Sequence, residues 1–457
     1  MVNTNANALG IIFPNCYDEL LPEMVTERTM ASVPFAGRYR MIDFVLSSMV
    51  NSGIDNVSVI VKKNYHSLMD HLGNGREWDL ARKHGGLNII PPYAEANVKI
   101  YNGRIEALAS IEGFLENQRE KYVVMSDANL AINFDFEDLI TRHVESGADV
   151  TMVYQRAPIP ACIKERNHTM KVENGRVVEL LTNDDRPGVQ NISMNIYVME
   201  RKTLIQFIKE ASARNLNSFE RDILARNLSL LNVQAIPYTG YLARIGDRKS
   251  YFDESMRLLN PDNVAALFCR PVYTKIRDDA PTRYAMDSHV RDCMVADGCI
   301  IEGEVEDSIL FRGVKIKKGA KVKHCVLMQG TVVESGAEIE YIVTDKNVKI
   351  TADKKLSGTD SFPVYVAKGQ TVYGERGRPS PRPALFRAGW ELPAPVPLLF
   401  RKGGHLYECL VLCQRSDSLC QVRRFGRCGG CSAQSPGERR RGLPRGSAAV
   451  RRFEIPG

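Results

Sequence analysis

At 457 residues the chain is long enough for two or three domains, and no apolar run approaches the ~18 residues that a membrane-spanning helix needs. Its formal charge of +7 is unevenly spread: from Glu375 onward 15 Arg and one Lys face six acidic residues, which leaves the first 374 residues at −3. A mildly acidic body argues against nucleic acid or a membrane as its partner, and its six scattered cysteines, behind an N-terminus with no signal-type segment, predict a reduced cytoplasmic protein.

Taken in order, Leu9-Gly-Ile-Ile-Phe13 has the length and β-branched character of a buried strand. A polar loop follows. A turn at Gly37 then leads into a helix whose apolar residues Met41, Ile42, Val45, Leu46, Met49 and Val50 recur at helical spacing, ending at Asn51-Ser-Gly53. A second strand, Asn56 to Val61, completes a strand, long loop, helix, strand unit of the nucleotide-binding type, in which phosphates sit where the first strand gives way to its loop. His66 and His71, on the next helix, are given no chemistry. Further strands are expected at Tyr122–Met125 and Gly147–Tyr154, and Met170–Leu181 reads as a hairpin turning at Asn174-Gly175. Residues 1–255 therefore predict an α/β domain with a mainly parallel sheet, and 256–290 a helix and linker.

From residue 291 to 370 the pattern changes to a period of six. Val314, Ala320, Val326 and Val332 form one row and Ile316, Val322 and Met328 another, with Gly313, Gly319 and Gly330 near the corners, which predicts a left-handed parallel β-helix. Residues 375–457 are rich in Arg, Pro and Gly and nearly free of Lys, and read as disordered or out-of-frame sequence. Cys409, Cys413, Cys428 and Cys431 make a superficial zinc spacing there, but Cys420 interrupts it and apolar residues are sparse.

The run FAGRYRMIDFVLSSMVNSGI, from Phe35 to Ile54, resembles the ADP-glucose pyrophosphorylase (glucose-1-phosphate adenylyltransferase) family, and the likeness extends over about residues 8–365. It is closest to that family's non-catalytic GlgD-type subunits. The resemblance implies a nucleotidyltransferase (Rossmann-like) domain followed by the β-helix, and it also shows what has been lost. Where the family has Gly-Gly-x-Gly-x-Arg and then Lys-Pro, counting back from Phe35 places the glycines on Asn15, Cys16 and Asp18, the Arg on Leu20 and the Lys on Met30. Asp18 and Glu19 would then turn carboxylates toward a polyanion. In the base and sugar segment Tyr101 and Gly103 match, whereas Arg104 replaces Thr and Glu106 replaces Asp.

The family's two Mg²⁺ carboxylates fall on Asn129 and Arg244, with Asp127 as a displaced candidate ligand. Its sugar-phosphate motifs fall on Arg186, on Ser193 and Asn195 (Asn for Gly), and on Phe219-Glu-Arg-Asp222, which keeps a positive charge at Arg221. Arg186 and Arg221 either hold an anion or sit in surface ion pairs. The resemblance thus implies a regulatory, catalytically degenerate subunit in glycogen biosynthesis, without a cofactor of its own, Mg²⁺ belonging to the holoenzyme. Its partner would be a catalytic subunit in a heterotetramer, and its effector a sugar phosphate or nucleotide held in the degenerate pocket or the interdomain cleft. Two alternatives stay open: a working sugar-phosphate nucleotidyltransferase with a rearranged metal site, and a β-helix scaffold.

Overall fold

The computed structural model describes residues 7–92 and 103–373, together with 397–402 and 405–410. Strand β1 (Ala8–Phe13) is buried along its whole length. Its Gly10 lets helix α1 (Met41–Asn51) lie close, since a Cβ there would stand 2.8 Å from Met49 Sδ. The helix begins where the Asp43 carboxylate accepts the Arg40 backbone N–H at 2.9 Å, and every expected apolar position is buried except Val50, which is half-buried.

Eight further strands complete the sheet: β2 (Asn56–Ile60), β3 (Gly86–Ile90), β4 (Tyr122–Asp127), β5 (Val150–Pro158), β6 (His168–Glu173), β7 (Arg176–Thr182), β8 (Val189–Glu200) and β9 (Val233–Pro237). Their order across the sheet is β3-β2-β1-β4-β8-β5-β9-β7-β6. The strands β3, β2, β1 and β4 run parallel, as do β5 and β9, but β8 enters antiparallel between β4 and β5. The chain travels from β5 to β8 through the β6–β7 hairpin rather than a helical crossover, which makes the sheet more mixed than the strand-helix alternation suggested. That hairpin turns at Asn174 and Gly175, both at positive φ, as its Asn-Gly pair requires.

The coil begins at Arg283, ahead of the expected residue 291, and its last strand ends at Val372. Three parallel ladders make its sides, with Val305, Val322, Ile339 and Leu356 stacked 17 residues apart. Each of these 17-residue coils is therefore one residue short of three hexapeptides, the shortfall lying on one side, and the six-residue rows slip after Val322. Cys325, Leu327 and Val333 point inward instead, whereas Val326 and Met328 join Ile309, Phe311 and Val343 in an apolar cluster against the α/β domain. Val332 is only half-buried. The short corner is made by Asp307, His324 and Tyr341, at φ +45°, +46° and +53°, none of them a glycine that would have marked it.

A buried ion pair between Arg28 and Asp345 ties the loop after β1 to the coil, and Tyr365 donates its hydroxyl to the same carboxylate at 2.8 Å. A separate unit, Pro379–Gly457, contains an antiparallel hairpin of Pro397–Lys402 with His405–Leu410, so the segment expected to lack structure holds one regular element. Its two apolar runs flank Gly403-Gly404, a hairpin signal the compositional reading passed over. Cys409 lies on that hairpin; Cys413, Cys428 and Cys431 fall outside the described residues. Among the described residues no helix is long and apolar enough to cross a membrane.

Candidate functional site

A cavity of about 430 Å³ opens at the C-terminal ends of β1 and β4, where Phe13 and Asp127 close their strands. Helix α2 (Arg104–Ala109), the β6–β7 hairpin and the widened helical turn Phe219–Leu224 supply its walls. At its floor Asp127 is 1 % exposed and is held by Arg104 Nη2 at 2.8 Å and Asn195 Nδ2 at 2.9 Å. Arg104 Nη1 stands 2.9 Å from Glu220 Oε1, which also accepts the Tyr197 hydroxyl at 3.0 Å. The guanidinium lies over the Phe13 and Tyr197 rings, 5.0 and 5.2 Å from their centroids.

Burial works against charge on Arg104, but the Asp127 and Glu220 carboxylates outweigh it and hold the guanidinium firmly protonated. Burial likewise pushes Glu220 up, and Arg104 overrides it, so that carboxyl sits below its ordinary value. Burial raises Asp127 against the pull of Arg104 and Asn195, and burial and Asp127 together raise the Cys16 thiol. Burial lowers His168, whose Nε2 is 3.9 Å from Glu220.

Asn195 owes its place to the backbone. The pairing of β8 with β5 shifts between Ser193 and Tyr197, and Asn195 takes φ +55° there, a conformation Asn tolerates better than most side chains. Its amide can then reach both Asp127 and the Tyr17 hydroxyl, the latter at 2.6 Å.

A second concavity lies between the α/β domain and the coil. Arg38, Arg40, Lys275, Arg277, Arg312 and Lys346 line it, with no carboxylate among its lining residues. Burial, with Arg40 and Arg28 nearby, brings Lys346 down to about 7, and burial brings Arg40 down to about 10.

Residues 24–260 match the nucleotidyl transferase family, and residues 277–361 match the GlmU-like C-terminal hexapeptide family. Over 374 residues the chain is 36% identical to the glycogen biosynthesis protein GlgD of Bacillus subtilis (strain 168), a match covering 81% of this chain and 98% of that protein. The chain belongs to the ADP-glucose pyrophosphorylase family. It is also 37% identical over 378 residues to GlgD of Geobacillus stearothermophilus, with 81% and 98% coverage. A glucose-1-phosphate adenylyltransferase of that organism is 32% identical over 313 residues, covering 66% of this chain and 80% of that protein.

Against the pyrophosphorylase pattern, the residues singled out from the sequence fall into three groups. Asn15, Cys16, Gly103, Asp127 and Asn195 line the cavity, and a Cβ on Gly103 would come within 2.4 Å of the Asn217 carbonyl oxygen. Tyr101 lies outside the described residues. Asp18 does not face the cavity, which corrects the expectation of a carboxylate turned on a polyanion: it is buried, accepting Met30 N–H at 2.8 Å and Asn15 Nδ2 at 2.6 Å. Glu19 is at the cavity wall but is paired with Arg166. Met30 is buried in the apolar cluster shared with the coil and Leu20, half-buried, packs against it, so the two positions that are basic in the family serve apolar packing here.

Arg186 and Arg221 do not line the cavity either, which corrects their assignment to an anion site. Their side chains, 48% and 63% exposed, grip Asp184 and Asp222, and those hydrogen bonds bring both carboxyls down to about 2. Ser193 accepts the Asn195 N–H on its hydroxyl at 3.0 Å, and its carbonyl takes both terminal nitrogens of Arg244 at 3.3 Å. Asn129 is buried and donates to the Ile245 carbonyl at 3.3 Å; neither it nor Arg244 is among the lining residues.

A divalent ion on Asp127 does not fit this arrangement, because that carboxylate already carries the Arg104 guanidinium and the Asn195 amide. Among the described residues no three His, Cys, Asp or Glu side chains are grouped to hold a metal. The sequence reading missed Arg104 and Glu220 as partners. Its signal was there: both segments depart from the family pattern, one by gaining a cation and the other by gaining an anion.

Proposed function

We propose that this chain is a regulatory, catalytically degenerate subunit of a glucose-1-phosphate adenylyltransferase in cytoplasmic glycogen biosynthesis. The holoenzyme would join ATP and glucose 1-phosphate into ADP-glucose and pyrophosphate, with Mg²⁺ held by a catalytic partner subunit. One observation carries the reading: the acid at the end of β4 is locked to Arg104, which is shared with Glu220. Nucleotidyl transfer needs a carboxylate free to hold a cation and basic groups free to meet the departing pyrophosphate. Here the carboxylate is occupied, and the corresponding basic positions, Leu20 and Met30, are apolar and serve packing.

What remains suits regulation. Six cations set between two domains, outnumbering the three aspartates paired with Arg38, Lys275 and Arg312, favour a phosphorylated effector. An effector there shifts the assembly only if it binds one arrangement better than the other. The test mixes the purified chain with the catalytic subunit from the same cell and follows ADP-glucose formation with and without a sugar bisphosphate. The expected result is a changed rate or effector response in the mixture, with Arg277→Ala abolishing the chain's share of that response. A mixture indistinguishable from the catalytic subunit alone at every ratio would overturn the proposal.

A further inference from the structure

The cavity beside Arg104 has a charge balance that selects its ligand. Among the described residues its lining carries four carboxylates, Glu19, Asp127, Glu165 and Glu220, against the three cations Lys62, Arg104 and Arg166. Arg166 is committed to Glu19 and Arg104 to the two buried acids. A polyphosphate entering without a metal would meet a net negative wall, and the acid that could have brought a metal is already neutralised.

The remaining lining suits a different chemistry. Asn183, Asn217, Thr182 and Ser218 offer both donors and acceptors around one side, and the Phe13 ring offers an apolar face. Beneath them Arg104 Nη1 is itself buried and stands 2.9 Å from Glu220 Oε1, so the guanidinium stays with its two acids and offers no free charge to an anion.

We propose that the Arg104 guanidinium is the resident cation of this cavity, and that the cavity binds an uncharged, hydroxyl-rich ligand of mono- or disaccharide size without a metal ion. The guanidinium spans Asp127 and Glu220, so the floor presents neither an unpaired carboxylate to a metal nor an unpaired cation to a phosphate. A volume of about 430 Å³ accommodates such a ligand. The inference does not depend on the regulatory reading, since a subunit with no influence on any partner could still bind a sugar here.

The test uses the full chain and two readouts. In saturation-transfer NMR with EDTA present, glucose and maltose are expected to give signals and ATP none, with Thr182→Trp at the cavity rim reducing the sugar signals at least ten-fold. In Mn²⁺ titrations followed by electron paramagnetic resonance, the wild type is expected to show no site in the cavity. Arg104→Ala, which uncovers Asp127 and Glu220, is expected to gain one site that the further change Asp127→Asn removes. If Arg104→Ala does not fold, Arg104→Gln, which removes the charge but keeps most of the side-chain length and leaves both acids in place, serves the same titration. A wild-type Mn²⁺ or Mg²⁺·ATP site lost on Asp127→Asn would overturn the proposal, as would a folded wild type that binds neither sugar.

Discussion

Replacing Arg104 by Met keeps much of the side-chain volume and removes one charge that two acids share. Asp127 and Glu220 keep only 1% and 7% of their side-chain surface exposed, so neither regains much hydration when the guanidinium goes. Breaking a buried ion pair by deleting one partner costs about 3–5 kcal/mol, and with two acids abandoned we expect the upper end, about 5 kcal/mol at pH 7. The loss should depend on pH, and the sign can be worked out. In the wild type the Glu220 carboxyl lies below its ordinary value of 4.5, so its contribution is present above that value and fades as pH falls through the folded one. In the variant both acids rise, and the folded state then binds protons the unfolded state does not. Lowering the pH from 7 to 5 should therefore narrow the gap, by about 1.4 kcal/mol for each unit of rise that is titrated. Urea unfolding of both proteins at pH 7 and pH 5 measures this. A loss below about 1 kcal/mol at pH 7, or a gap that does not change with pH, would refute the reasoning.

Two other outcomes are expected. Binding of inorganic phosphate to the interdomain cleft should weaken as pH rises through about 7, where Lys346 loses its proton, and isothermal titration at pH 6.5 and 8.5 should show proton uptake on binding near neutrality. Asp345→Ala strands the buried Arg28 and removes the Tyr365 hydroxyl's acceptor, and should cost about 3–5 kcal/mol, with the α/β domain and the coil unfolding in separate calorimetric transitions where the wild type shows one.

Much of the fold was legible because its signals are local. Buried β1, the helical period of α1 and the Asn-Gly turn each announce themselves within a dozen residues. The antiparallel entry of β8 was not, since it depends on where a hairpin carries the chain rather than on any residue in the strand. In the coil, glycines marked two corners, but the third turns on Asp307, His324 and Tyr341 at positive φ, so the shortened side and the outward turn of Val326 and Met328 stayed hidden.

At the site the residue types were readable and their orientation was not. Leu20 and Met30 were visibly wrong for a phosphate grip, but the inward turn of Asp18 is set by the Met30 N–H it accepts, a contact between loop segments. Asn129 and Arg244 stand outside the cavity lining for the same reason: their partners, the Ile245 and Ser193 carbonyls, come from other elements. Arg104 and Glu220 meet only once α2 and the Phe219–Leu224 turn close on the sheet. The sequence could name two departures from the family pattern; the fold makes them one ion pair.

The most direct test of the account is to incubate the purified chain alone with ATP, glucose 1-phosphate and Mg²⁺ and to measure ADP-glucose formed. The account predicts none above the protein-free control, because Asp127 is held by Arg104 and the family's basic positions fall on the apolar Leu20 and Met30. Sustained turnover by the chain alone, abolished by Asp127→Asn, would contradict it and would make this cavity a working nucleotidyltransferase site.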